Sequence, residues 1–179
     1  MQTEIENVRA HAELLYSQAA IDTALDTMAM QINQLLTGRN PLVLCVMNGG
    51  LVTAGHLLTR LTMPLTLDAI NASRYQNNTV GDDIEWITTP RATLKDRTIL
   101  IIDDILDAGI TLRAIYDYCL QAGASSIYTA VLLEKQLSHQ KPITADFVGL
   151  SVPDRYVFGY GMDYKGYWRN ANGIYACAE

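Results

Sequence analysis

Two patterns of apolar positions alternate along this chain. From Thr3 to about Leu36 they recur at helical spacing, as in Ile21, Leu25, Met28, Ile32 and Leu36, with no internal Gly or Pro. A break near Tyr16 divides this stretch, and Ser17 is placed to cap a second helix. Gly38 and Pro41 end it. Residues 42–47 are then unbroken apolar positions, the pattern of a strand buried on both faces. A turn at Asn48-Gly49-Gly50 precedes a helix over 51–61, and a strand follows over 65–70. Residues 74–83 are polar and weakly patterned, which predicts a mobile loop. Residues 84–88 alternate, as a strand returning from that loop would.

Ile99, Leu100, Ile101 and Ile102 read as another doubly buried strand, ended by Asp103 and Asp104. A loop with Asp107, Gly109 and Thr111 leads into a helix over 112–122 that stops at Gly123. Residues 127–133 form a further apolar run, and short strands with Gly- and Tyr-rich loops fill the chain from Ala145 on. Strands alternating with helices predict an α/β fold, a mostly parallel twisted sheet with helices on both faces, in one domain over 1–179. Such sheets hold ligands beyond the carboxyl ends of their strands. Asn48-Gly49, Asp103-Asp104 and Lys135 each fall at an expected strand end.

Composition narrows the partners. Apolar residues make up 49% and charged residues 18%, ordinary for a globular protein. A net charge of −6 argues against general affinity for nucleic acid or anionic membrane, yet allows one bound anion held by local amides. No apolar run reaches the roughly 20 residues of a membrane helix, and no signal-peptide pattern opens the chain, so a cytoplasmic setting is expected. The odd number of cysteines predicts no disulfide framework, and Cys45 and Cys119 read as small core residues. His11, His56 and His139 make no metal-ligand pattern.

The acidic strand end carries the chemistry. An isolated Asp-Asp is usually a solvated turn. Between a buried strand and a Gly-Thr loop, the pair can accept hydrogen bonds from two sugar hydroxyls, while the loop amides and helix dipole favour a phosphate. The stretch 103–111 resembles the phosphoribosyl-diphosphate motif of type I phosphoribosyltransferases. Val46-Met47-Asn48-Gly49-Gly50 resembles the pyrophosphate loop of their hypoxanthine-guanine branch, and Leu132-Leu133-Glu134-Lys135 its purine-contacting strand. Residues 146–149, 153–164 and 167–170 resemble its base-binding hood.

This resemblance implies the type I phosphoribosyltransferase fold and a magnesium-dependent (Mg2+) transfer. Pyrophosphate is displaced from C1′ of phosphoribosyl diphosphate by a 6-oxopurine, hypoxanthine or guanine, giving IMP or GMP. It implies that Asp103 and Asp104 meet the ribose hydroxyls directly or through the metal, and that Asp107 is the general base near purine N7. Ala108, Gly109, Ile110 and Thr111 would cradle the 5′-phosphate. Asn48, Gly49 and Arg169 would hold pyrophosphate. Lys135 would donate to O6, and Val157 and Asp163 would present carbonyls to the base, Asp163 also reaching the metal. Tyr156 would stack on the purine, although from the residues alone it reads as core packing. Ser73-Arg74-Tyr75 would start a mobile lid.

Three positions depart from the family pattern: Ala108 where Thr is usual, Asn48 where a basic residue is frequent, and Arg74 where many members have Ser. The resemblance also implies a strained or cis peptide at Asn48, and a homodimer or homotetramer. Xanthine preference is a neighbouring reading. A nucleotide-sensing regulator is a second class, set against by the presence of Asp107, Lys135 and Arg74-Tyr75. A receiver-like signalling domain is a third, set against by acids that come only after some hundred residues.

Overall fold

Leu42–Val46, every residue of it buried, is a strand at the centre of the molecule, as its unbroken apolar run requires. The computed structural model describes residues 2–74 and 84–178. Two helices, α1 (Gln2–His11) and α2 (Gln18–Leu36), flank the short strand β1 (Glu13–Tyr16). In chain order there follow β2 (Leu42–Val46), α3 (Gly50–Leu58), β3 (Thr66–Arg74), β4 (Ile84–Thr88), β5 (Thr98–Leu106), α4 (Ile110–Gln121), β6 (Ser126–Lys135), β7 (Phe147–Val152), β8 (Val157–Phe158) and β9 (Ile174–Ala176).

Six strands form one sheet in the order β4-β3-β2-β5-β6-β7, parallel except for the edge strand β4. Successive side chains point to opposite faces, so each central strand feeds two cores. Val43, Cys45, Leu100 and Ile102 join Ile21, Leu25, Met28, Ile32 and Leu36 of α2 and Ala54 and Leu57 of α3. Leu42, Leu44, Val46, Ile99 and Ile101 join Leu112, Ile115 and Cys119 of α4 on the other face. Each of these fully buried aliphatic side chains contributes roughly 1.5–3 kcal/mol by leaving water. The α/β architecture read from the pattern is therefore the one observed, and Cys45 and Cys119 are core residues. Among the described residues, no helix is long and apolar enough to cross a membrane.

The predicted helix over 3–36 is corrected in one respect. Residues 13–16 are a strand, antiparallel to β9 in a second, three-stranded sheet of order β1-β9-β8. Its partner lies some 160 residues away, and only that pairing makes it a strand. Ser17 does cap α2, its hydroxyl accepting from the Ala20 amide at 3.4 Å.

A second correction concerns the acids. Asp103 and Asp104 lie inside β5 rather than at its end, because pairing with β6 runs on to Ile105↔Leu133 and Leu106↔Glu134. Pairing with β2 stops at Cys45↔Ile102. Beyond Ile102, β5 is bonded on one side only. The chain after β2 turns away at Asn48, and the space it leaves is the candidate site.

Candidate active site

A cavity of about 320 Å³ opens where β2 and β5 part. Asn48, Gly49, Asp103, Asp104, Arg169 and the whole of residues 107–111 line it. A second cavity, of about 200 Å³, adjoins it and is lined by Lys135, Tyr156, Val157, Met162 and Asp163. Asp104, Ile105 and Asp107 belong to both walls. Apart from the lid, the residues expected from the sequence are thus gathered in two connected spaces. Of the lid, Ser73 and Arg74 end β3, and Tyr75 lies outside the described residues.

Local structure shapes the first cavity. Gly109 adopts φ +81°, a left-handed conformation that glycine takes at little cost, and α4 begins at the next residue. The helix start at 110–112 lines the first cavity, and the amides that a first helical turn leaves unpaired, with the helix dipole, favour an anion there. Ala108 leaves this cradle with the Thr111 hydroxyl and backbone donors.

Opposite it, the Met47–Asn48 peptide is cis, as the resemblance implied. Gly49 packs against the Asp104 carboxylate with no room for a Cβ, and Gly50 packs closely on the Ile102 carbonyl. Gly161, at φ +109°, lies against the Gly49 carbonyl and would also clash through a Cβ. The hood resemblance included Gly161 without giving it a role, because its requirement comes from the approach of a distant loop.

Asp103 and Asp104 are each 9% exposed. The Asp103 carboxylate accepts from the Asp104 amide at 2.8 Å, and that of Asp104 from the Ile105 amide at 2.7 Å. Burial pushes both carboxyls above the ordinary carboxylate range, and the charge of Asp104 pushes Asp103 further; Arg169 opposes the rise at Asp104. A buried carboxylate pair raised in this way is a fitting partner for a cation. Among the described residues no cluster of three or more acidic, His or Cys side chains could by itself hold a metal. The donor set therefore fits an ion that takes its remaining oxygens from a substrate and water.

Arg169 bridges the hood. Its guanidinium donates to the Gly161 carbonyl at 2.7 Å and pairs with Asp163 at 2.7 Å. The other Asp163 oxygen accepts from the Gly166 amide at 2.6 Å. At the second cavity, Lys135 Nζ donates to Asp107 Oδ2 at 3.0 Å and stands 3.9 Å from Asp154, an acid the sequence reading had not singled out. Tyr156 is 53% exposed and not a core residue, correcting the reading from residues alone. Its hydroxyl donates to the Asp163 carbonyl at 3.1 Å, and its ring meets Tyr164 edge-on. Tyr156 also lines the second cavity.

Comparison with known proteins gives the family. The family model described as phosphoribosyl transferase domain matches residues 11–165. The hypoxanthine-guanine phosphoribosyltransferase of Bacillus subtilis is 32% identical over 171 residues, covering 95% of this chain and 92% of that protein. The chain belongs to the hypoxanthine-guanine phosphoribosyltransferase family.

The bifunctional protein TilS/HprT of Listeria innocua is 33% identical over 159 residues, 88% of this chain. This chain spans about a quarter (24%) of the length of that relative. A solved hypoxanthine phosphoribosyltransferase of Staphylococcus aureus superposes with a TM-score of 0.87 at 26% identity, over 93% of this chain and 91% of that one. The six-stranded sheet with helices on both faces is therefore the type I phosphoribosyltransferase fold.

Proposed function

We propose that this chain transfers the 5-phosphoribosyl group from phosphoribosyl diphosphate to hypoxanthine or guanine, yielding IMP or GMP and pyrophosphate. The six-stranded sheet is the body of one domain over 1–179, and the three-stranded sheet contributes its hood. The observation that carries this reading is the shared wall: Asp104, Ile105 and Asp107 face both the anion cavity and the cavity holding Lys135. A sugar seated on Asp104 would present C1′ to both spaces, so leaving group and incoming base meet on opposite sides of one carbon.

Each residue then has a task its chemistry suits. The amides of 108–111 and the Thr111 hydroxyl hold the 5′-phosphate. Asp103 and Asp104 accept from the 2′ and 3′ hydroxyls, and Asn48, Gly49 and Arg169 hold pyrophosphate oxygens, a guanidinium being shaped for such oxygens. Lys135 donates to O6 of the purine, where adenine carries an amino group that cannot accept. Sites built on such pairing reject the wrong group strongly. Asp107 takes the proton from N7 as the ring nitrogen attacks. Tyr156 stacks on the base, and Val157 and Asp163 offer carbonyls to its edge.

Asp103 and Asp104 would hold Mg2+, with Asp163 reaching it through water because its own oxygens are engaged. That ion, when bound, supplies charge neutralisation on the pyrophosphate. The lid Ser73-Arg74-Tyr75 closes over the sugar and excludes water. We place the enzyme in the cytoplasm, where its three free thiols stay reduced, as a homodimer or homotetramer.

The test is direct. The protein is mixed with magnesium, phosphoribosyl diphosphate and hypoxanthine, guanine, xanthine or adenine, and nucleotide formation is followed. Turnover with hypoxanthine or guanine and not adenine is expected. Inactivity with all four overturns the proposal, and turnover with adenine alone removes Lys135 as the O6 donor.

A further inference from the structure

Lys141 lies in the connection between β6 and β7, in no motif, yet its side chain is only 9% exposed. An enclosed ammonium is costly unless each of its N–H groups is satisfied. All three are. Nζ donates to the Lys135 carbonyl at 2.6 Å, to the Leu106 carbonyl at 3.1 Å and to Glu134 Oε1 at 3.2 Å.

The two carbonyls belong to neighbouring parallel strands at the point where those strands separate. Leu106↔Glu134 is the last pair between β5 and β6. Past it, β6 goes on pairing with β7, at Lys135↔Val152, while the chain after Leu106 turns into the anion loop. Sheet hydrogen bonding therefore no longer holds the two backbones together there. Lys141 does so instead. Leu106 immediately precedes Asp107, and the second carbonyl is that of Lys135 itself. One joined carbonyl is thus that of Lys135 and the other lies one residue before Asp107, and the side chains of Lys135 and Asp107 meet at 3.0 Å.

We propose that Lys141 is a positioning residue, whose ammonium fixes the spacing of Asp107 and Lys135 so that one 6-oxopurine meets both at once, N7 at the acid and O6 at the ammonium. This rests on the site reading given above. It adds a residue that touches no substrate. A group holding two substrate-facing side chains in register acts on the purine step, whereas a group that only stabilises the fold weakens every step alike. Misplacement of reacting groups by about 1 Å costs up to roughly 10²-fold in rate.

Two variants of the full chain test it, Lys141→Met and Lys141→Gln, each first checked for folding by circular dichroism and thermal unfolding. In the folded Met variant, kcat/KM for hypoxanthine is expected to fall by about 10- to 10²-fold, with a raised hypoxanthine KM and a lowered kcat. KM for phosphoribosyl diphosphate should stay at the parent's value. The Gln variant, which keeps donors but not the charge, should fall between parent and Met. It carries the test alone if Lys141→Met does not fold. Unchanged hypoxanthine kinetics in a folded variant, or equal losses toward both substrates, overturns the proposal while leaving the site reading intact. A parent chain inactive with every purine overturns both.

Discussion

Lys135 Nζ and Asp107 Oδ2 lie 3.0 Å apart and join the end of β6 to the loop after β5. The lysine side chain is 12% exposed and the aspartate 44%, so the pair presents its acid to the cavity. An ion pair this open contributes about 0–1 kcal/mol to stability, which makes its chemical role the one to measure. Asp107→Asn should lower kcat for hypoxanthine by roughly 10²–10⁴. Binding of phosphoribosyl diphosphate should persist, because the amides of 108–111 are untouched. Steady-state rates with a parallel binding titration check this. Unaltered turnover would remove Asp107 as the base.

How much of this was legible beforehand follows from where each signal resides. The central strands could be read because they are buried on both faces, and an unbroken run such as Leu42–Val46 has few other uses. The loop after β5 could be read because Asp107, Gly109 and Thr111 lie close together in the sequence. Strand β1 could not, since Glu13–Tyr16 is no more apolar than a helical turn and owes its form to Ile174–Ala176. The path of β5 through its acids was hidden for a related reason: it depends on which neighbour stops pairing first. Gly161 and Lys141 act through backbone carbonyls of remote segments, and no local residue pattern records such contacts.

Two glycines should respond to alanine with opposite signs. Gly161 sits at φ +109° with the Gly49 carbonyl where a Cβ would go, and backbone cannot yield cheaply. Gly161→Ala should cost about 1–3 kcal/mol and, on the proposed function, weaken pyrophosphate binding. Gly55 lies in α3, exposed, with nothing near an added Cβ. Gly55→Ala should gain about 0.5–1 kcal/mol by reducing the freedom of the unfolded chain and adding helix propensity. Denaturant unfolding of both variants reads the two signs together.

Asp68 shows how an acid can serve the fold. Partial burial raises its pKa, but amides of Ala92, Ala69 and Arg91 at 2.7–2.8 Å outweigh that and hold it below the ordinary carboxylate value. The folded pKa is lower than the unfolded one. Its contribution is therefore complete above the unfolded value, near 3.9, and is lost as pH falls through the folded value. Asp68→Ala should destabilise by about 1–3 kcal/mol at neutral pH. The gap between variant and parent should narrow in acid below about pH 4. Thermal unfolding across pH measures it, and a gap that widens on acidification would contradict the assignment.

Arg169 joins two hood residues beside the buried acids of β5. Two nitrogens of one planar group reach Gly161 and Asp163, both at 2.7 Å, and the same group lowers the charge cost of buried Asp104. An ammonium on a lysine stem has the charge but not the fork. Arg169→Lys should therefore keep the fold and lose the geometry. Affinity for pyrophosphate and for phosphoribosyl diphosphate should fall about tenfold, the equivalent of roughly 1.4 kcal/mol. The hypoxanthine KM should move less, since Lys135 and Tyr156 stay in place. Calorimetric titration with pyrophosphate gives the first number directly. If lysine bound pyrophosphate as well as arginine does, charge alone would explain the site, and the bridging of Gly161 to Asp163 would carry no weight in holding the leaving group.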